Sequence, residues 1–237
     1  MEQTGICYIV GGGDFDIDRF YPKKEDCIIA ADSGLVYIEE AGYHPDLIVG
    51  DFDSLGYRPK GNNIVCHPVE KDDTDVALAA EIAIEKGYRK LYLFGISGGR
   101  LDHTLANLQL LTDLCQKGAE VFCFCPDCTI TAINNGELHF TDDYYGTVSV
   151  FAATQEAKGV GIKGLKYNLD NATLVNNRAL GVSNEFVGRS AEISVKEGVL
   201  WVMWQESMDE TAKVGAVARP DGTSSVYMEN GKAHRKR

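Results

Sequence analysis

Two successive domains are expected from this sequence: an α/β domain with a mostly parallel sheet and flanking helices, then an all-β sandwich. Three observations carry the expectation. Through the first half, short apolar runs alternate with helical patterns about 10 to 15 residues long, the arrangement of βαβ units. Most of those runs end at a loop that carries glycine and a polar group. After about Thr131 the chain changes to short alternating runs separated by turn residues.

Residues 6–10 form the first expected strand, which ends at Gly11-Gly12-Gly13. Cys27–Ala31 is the second, and Asp32-Ser33 then offers a candidate N-cap for a helix to about Ala41. Residues 47–49 make a short strand that stops at Gly50-Asp51, and Ile64–Cys66 makes another. Asp73-Thr74 starts a helix with Val76, Ala79, Ala80, Ala83 and Ile84 on one face, closed by Gly87. Residues 91–94 are a strand, 102–117 a helix with Leu105, Leu108, Leu111 and Leu114 inward, and 121–125 a strand. This plan is Rossmann-like, and ligands of such sheets bind beyond the carboxyl ends of the strands.

The β part rests on residues 147–152, 159–162, 191–195 and 199–204. In the last of these, Trp201 and Trp204 fall on opposite faces, so one belongs to the core and the other is a candidate to border a ligand. The expected bounds are 1–130 for the α/β domain, 131–206 for the sandwich and 207–237 for an extension. The extension is expected to make a hairpin around Arg219-Pro220-Asp221-Gly222, with residues 214–218 facing 224–228, and to end in a disordered basic tail.

Composition narrows the function. Of 237 residues, 44% are apolar and 24% charged, as in ordinary globular proteins, and the formal net charge is −12. Nucleic-acid and anionic-membrane surfaces need clustered Lys and Arg, so neither partner is expected. No stretch approaches the roughly 20 apolar residues that span a bilayer, and residues 1–10 lack a basic leader segment. The seven cysteines sit mostly in apolar runs, which points to reduced thiols and a cytoplasmic setting. Cys123, Cys125 and Cys128 lack a second ligand pair, so core packing is preferred to zinc.

Three acidic or glycine-rich motifs carry the chemistry. Asp51 and Asp53 lie two apart in Gly50-Asp51-Phe52-Asp53-Ser54, and on an extended loop their carboxylates share a side. Two adjacent carboxylates repel unless a cation lies between them, and magnesium takes carboxylate and phosphate oxygens together. Lys71-Asp72-Asp73-Thr74-Asp75 opens a helix; one residue suffices as a cap, and the remaining acids with Lys71 suit a metal-bound phosphate. In Gly95-Ile96-Ser97-Gly98-Gly99-Arg100-Leu101-Asp102-His103, Gly98-Gly99 admits close backbone approach and Arg100 offers a planar fork for phosphate.

Together these motifs resemble thiamine pyrophosphokinases. The resemblance runs in order through Ala31-Asp32-Ser33-Gly34, the three motifs above, Gly164-Leu165-Lys166-Tyr167 and Ser183-Asn184-Glu185-Phe186, over roughly residues 5–205. It implies transfer of the pyrophosphoryl group of ATP to thiamine, with magnesium on Asp51, Asp53 and Asp75 and with Lys71 and Arg100 steadying phosphate. It implies ATP contacts at Asp32, Gly50, Asp51, Lys71, Thr74, Gly98, Gly99 and Arg100. Asp102, Ser183 and Asn184 match thiamine contacts, and a homodimer that binds thiamine between subunits is implied as well. Asp75 and Asp51 are both candidates for a general base, with direct proton loss to water as the alternative. The rival readings are a metal-dependent phosphohydrolase and a binding module without turnover.

Overall fold

Each strand of the N-terminal part is an unbroken apolar run rather than an alternating one, and such a run suits a parallel sheet covered on both faces. The structure, a computed structural model, describes residues 3–52, 64–66, 74–205, 216–218, 226–229 and 232–235. The chain divides into two compact units, Met1–Pro126 and Asp127–Arg237.

The first unit contains β1 (Cys7–Val10), β2 (Cys27–Ala31), helix α1 (Gly34–Glu40), β3 (Leu47–Gly50), β4 (Ile64–Cys66), α2 (Asp75–Glu85), β5 (Lys90–Phe94), α3 (Leu101–Gln116) and β6 (Glu120–Cys125). Its strands lie in the order β6-β5-β1-β2-β3-β4, and every pairing is parallel. Chain direction across the sheet reverses between β1 and β5, the switch point at which such sheets open a crevice. Ile9, Ile29, Leu91, Leu93, Phe94 and Phe122 are fully buried. Phe94 and Phe124 stack at 4.8 Å.

Local sequence explains the helix ends, with two departures from expectation. Thr74 caps α2 by accepting from the Ala77 N–H at 3.2 Å, and Gly87 closes it at φ +94. Ser33, by contrast, makes no side-chain cap for α1, because its backbone is itself helical. In α3, Leu111 and Leu114 are buried, but Leu105 is 54% exposed. The expected leucine row has a spacing of three, which drifts about 60° per step on a helix of 3.6 residues per turn, so its first member faces away from its last.

The second unit holds β7 (Cys128–Asn134), β8 (Glu137–Phe140), β9 (Thr147–Ala152), β10 (Glu156–Lys163), β11 (Leu169–Val175), β12 (Gly181–Glu185), β13 (Ala191–Ser194), β14 (Val199–Gln205) and β15 (Ala216–Ala218). They form two antiparallel sheets, β12-β9-β14-β7 and β11-β10-β13-β8-β15. Strand β9 reads half-buried, buried in strict alternation, as one-sided packing requires. The apolar faces meet at Phe140 of one sheet and Trp204 of the other, edge to face at 5.3 Å. Trp204 is fully buried and Trp201 half-exposed, as their spacing predicts.

The extension departs from the expected hairpin. β15 pairs with β8 and lengthens that sheet, while β16 (Val226–Glu229) pairs antiparallel with β17 (Lys232–Arg235). Residues 219–222, expected to form the turn, lie outside the described residues, and the basic end expected to be disordered is partly strand.

Candidate active site

Four loops at the carboxyl ends of the parallel strands meet in one place, and the glycines show how closely. A Cβ at Gly34 would overlap the Val10 carbonyl, one at Gly95 the Gly11 carbonyl, and one at Gly12 the Ser33 hydroxyl. The Gly13 N–H donates to the Gly95 carbonyl at 2.8 Å, and the Asp14 N–H to the Ser97 carbonyl at 2.7 Å. A Cβ at Gly50 would stand 3.2 Å from the Asp32 Cα, and one at Gly11 only 2.9 Å from Val76 in the first turn of α2. The loops after β1, β2, β3 and β5 and the start of α2 thus share one rim at the switch point. Gly95, Gly98 and Gly99 all have positive φ, at 61°, 86° and 60°. A Cβ at Gly98 would collide with the Asp14 carboxylate, whereas Gly99 faces open space.

Of the residues expected to bind ATP or metal, Asp32, Gly50, Asp51, Thr74, Asp75, Gly98, Gly99 and Arg100 belong to these loops and helix starts. Asp53 and Lys71 lie outside the described residues. One expectation is corrected here. Phe52 adopts φ +65, so the chain after Asp51 is not extended and strand-like alternation cannot place the Asp51 and Asp53 carboxylates. The Phe52 ring is 3% exposed, and its burial stabilises a backbone form that costs a bulky residue about 1–3 kcal/mol.

Asp32 tests whether the rim suits a divalent cation. Its backbone is left-handed at φ +49, and its Oδ1 is buried without a hydrogen-bond partner among the described residues. A buried carboxylate oxygen is costly to leave unpaired, so its environment is that of an acceptor awaiting a cation or donor. With Asp51 and Asp75 on the same rim the donor set is carboxylate oxygen, the type magnesium prefers. The residues fit the ion.

Arg100 and Asp102 are brought together by the start of α3. The guanidinium donates from Nε to Oδ1 at 3.1 Å and from Nη2 to Oδ2 at 2.6 Å. Both side chains are largely exposed. The hydrogen bond from Arg100 holds the Asp102 carboxyl well below the usual range, at about 2, with the His103 N–H helping. Asp102 therefore stands charged in the first turn of the helix. Arg100 is engaged with it, and phosphate would have to compete for the fork.

Sequence reasoning missed Asn107. It is 5% exposed in α3, and its Nδ2 donates to the Ile96 carbonyl at 2.8 Å, fixing the loop that carries Gly98 and Gly99. The available signal was a lone amide in the helix's inward stripe with Leu111 and Leu114.

In the second unit, Ser183 and Asn184 divide their roles. Ser183 is exposed at φ +59 where the pairing of β12 with β9 shifts register. Asn184 is 4% exposed; its Oδ1 accepts from the Tyr167 and Glu185 N–H groups, and its Nδ2 donates to the Tyr167 carbonyl at 2.6 Å. The motif around Tyr167 and the motif around Asn184 are thus one structure, held by a single amide. A separate group, Glu137, His139 and Glu192, brings potential metal ligands within 4.8 Å of one another. Lys163 already meets Glu192 at 2.8 Å there and supplies a positive charge.

A doubly wound α/β unit with a carboxylate and glycine rim at its switch point defines a class of protein that binds its ligand at the carboxyl ends of the strands. Comparison with known proteins narrows the class. Residues 20–123 match the thiamin pyrophosphokinase catalytic domain, and residues 135–200 match the thiamin pyrophosphokinase vitamin B1 binding domain. The chain belongs to the thiamin pyrophosphokinase family. It is 29% identical over 187 residues to the thiamine pyrophosphokinase of Bacillus subtilis (strain 168), covering 76% of this chain and 87% of that protein. The crystal structure of thiamine pyrophosphokinase from Bacillus subtilis superposes with a TM-score of 0.75 at 26% identity, over 86% of this chain and all of that one. The Geobacillus thermodenitrificans enzyme gives 0.73 at 29% identity, over 86% of this chain and 99% of that one.

Proposed function

We propose that this chain moves the β,γ-pyrophosphoryl unit of ATP to the hydroxyethyl oxygen of thiamine, giving thiamine diphosphate and AMP in a magnesium-dependent reaction. The observation that carries the reading is the convergence of four strand-end loops and the start of α2 at one rim. Bound there, magnesium would neutralise phosphate charge and help hold the triphosphate in line. Asp32, Asp51 and Asp75 are the described carboxylates for it, with Asp53 as a further ligand and Lys71 and Arg100 as phosphate partners. The Gly98-Gly99 turn lets backbone approach the phosphates, and the Thr74-capped end of α2 favours negative charge. Asp51 or Asp75 accepts the alcohol proton, or it passes directly to water.

Asp102 is the proposed thiamine contact of the first unit. Ser183 is that of the second, supported by its exposed, strained backbone. Asn184 holds the surrounding backbone and presents Ser183 and Tyr167. A cytoplasmic homodimer completes the proposal.

Incubation with magnesium, ATP and thiamine tests it. Thiamine-dependent formation of AMP and thiamine diphosphate is expected. Inorganic phosphate released regardless of thiamine would instead identify a hydrolase.

A further inference from the structure

Phe15 and Tyr37 form a stack beside the rim that the chemistry above leaves unused. Their ring centroids are 5.1 Å apart with planes 9° from parallel. Phe15 follows Asp14 directly in the loop after β1 and packs on Phe20 at 5.3 Å and on Phe94 at 5.8 Å. Tyr37 stands one turn along α1 from Gly34, the residue pressed against the end of β1. Phe15 follows Gly12 by three residues and Tyr37 follows Ser33 by four, and Gly12 and Ser33 are in contact on the rim.

Exposure separates this pair from the other rings near the rim. Phe52 and Phe94 are buried, at 3% and 0%, whereas Phe15 and Tyr37 are half-exposed. The Tyr37 hydroxyl makes no hydrogen bond among the described residues, so its ring is not placed to bring a phenol to a partner. Tyr37 has Phe15 as its one aromatic neighbour among them, and Phe15 is in turn anchored in the core. A half-exposed ring on a rigid aromatic backing, next to a phosphate-binding rim, suits a flat heteroaromatic group.

We propose that the Tyr37 ring, backed by Phe15, is the platform on which the purine base of ATP stacks. The proposal rests on the ATP reading above and assigns the base a place that the phosphate motifs do not. Stacking recognises ring area rather than edge hydrogen bonds, so the platform favours purine over pyrimidine nucleotides.

Inorganic tripolyphosphate, which has no base, provides the control. Tyr37→Leu is expected to raise KM for ATP roughly ten-fold with kcat little changed, within the range that base–aromatic stacking supplies. Inhibition by tripolyphosphate should stay the same, and Tyr37→Phe, which keeps the ring, should restore ATP binding. An unchanged ATP KM in Tyr37→Leu overturns the platform, and so does an equal weakening of ATP and tripolyphosphate. Should Tyr37→Leu not fold, AMP titrated into the wild-type protein still decides. Ring-current shifts of the Tyr37 proton resonances support the platform and their absence overturns it. If the wild-type protein binds AMP in this way but makes no thiamine diphosphate, the activity reading fails while the platform stands.

Discussion

Asp102, proposed above as a thiamine contact, carries a charge that its neighbours hold in place. Its carboxyl is depressed to about 2 by the hydrogen bond from Arg100. A depressed carboxyl contributes its interaction above the unfolded-state value and loses it only as pH falls through the folded value. The ion pair therefore persists through neutral pH and is lost only in strong acid. KM for thiamine should show no ionisation attributable to Asp102 between about pH 4 and 9, and a break near the ordinary carboxylate value would contradict the pairing. Asp102→Asn should raise KM for thiamine more than KM for ATP; equal effects on both would mean the role is misplaced. Asn184 gives a different forecast. Removing its amide takes away the partner of the Tyr167 N–H and carbonyl, at about 0.5–1.5 kcal/mol per lost bond, so Asn184→Ala should lower the denaturation midpoint measurably. An unchanged midpoint would mean water replaces the amide.

At the scale of elements, the rim depends on strand ends that tolerate no side chain. Gly95→Ala combines a positive φ with overlap of the Gly11 carbonyl and should abolish activity and destabilise the fold. Thr74→Ala removes one cap bond from α2 and should cost only about 1 kcal/mol in thermal or chemical unfolding. The contrast between the two follows from what each touches. The parallel strands were legible because buried apolar runs declare themselves: Cys27–Ala31 and Ile64–Cys66 fall where the residues place them. Strand β11 was not legible, since LDNATLV neither alternates nor forms an unbroken apolar run, buries only Leu174, and is held by its pairing with β10 rather than by its own pattern. Leu105 misled because a spacing of three looks helical without staying on one face. The motif order pointed to the site, but only packing shows that Asn184 holds Tyr167 and that Arg100 is engaged by Asp102.

For the whole molecule, the central claim is that acids far apart in sequence converge on one triphosphate through a divalent ion. Sequence placed Asp32, Asp51 and Asp75 at strand and helix ends; the sheet's switch point is what makes those ends neighbours. The Asp32 Oδ1, buried and without a hydrogen-bond partner among the described residues, is the strongest physical sign that the rim suits a cation or donor. Manganese can stand in for magnesium as a paramagnetic probe, and its binding in the presence of a non-hydrolysable ATP analogue reports that convergence without requiring turnover. The account expects a tight ternary complex in the wild-type protein. In folded Asp32→Asn and Asp51→Asn it should weaken about ten-fold or more, the scale on which even supporting partners of metal ligands act. Manganese affinity that is the same in the wild-type protein and in both folded variants would contradict it.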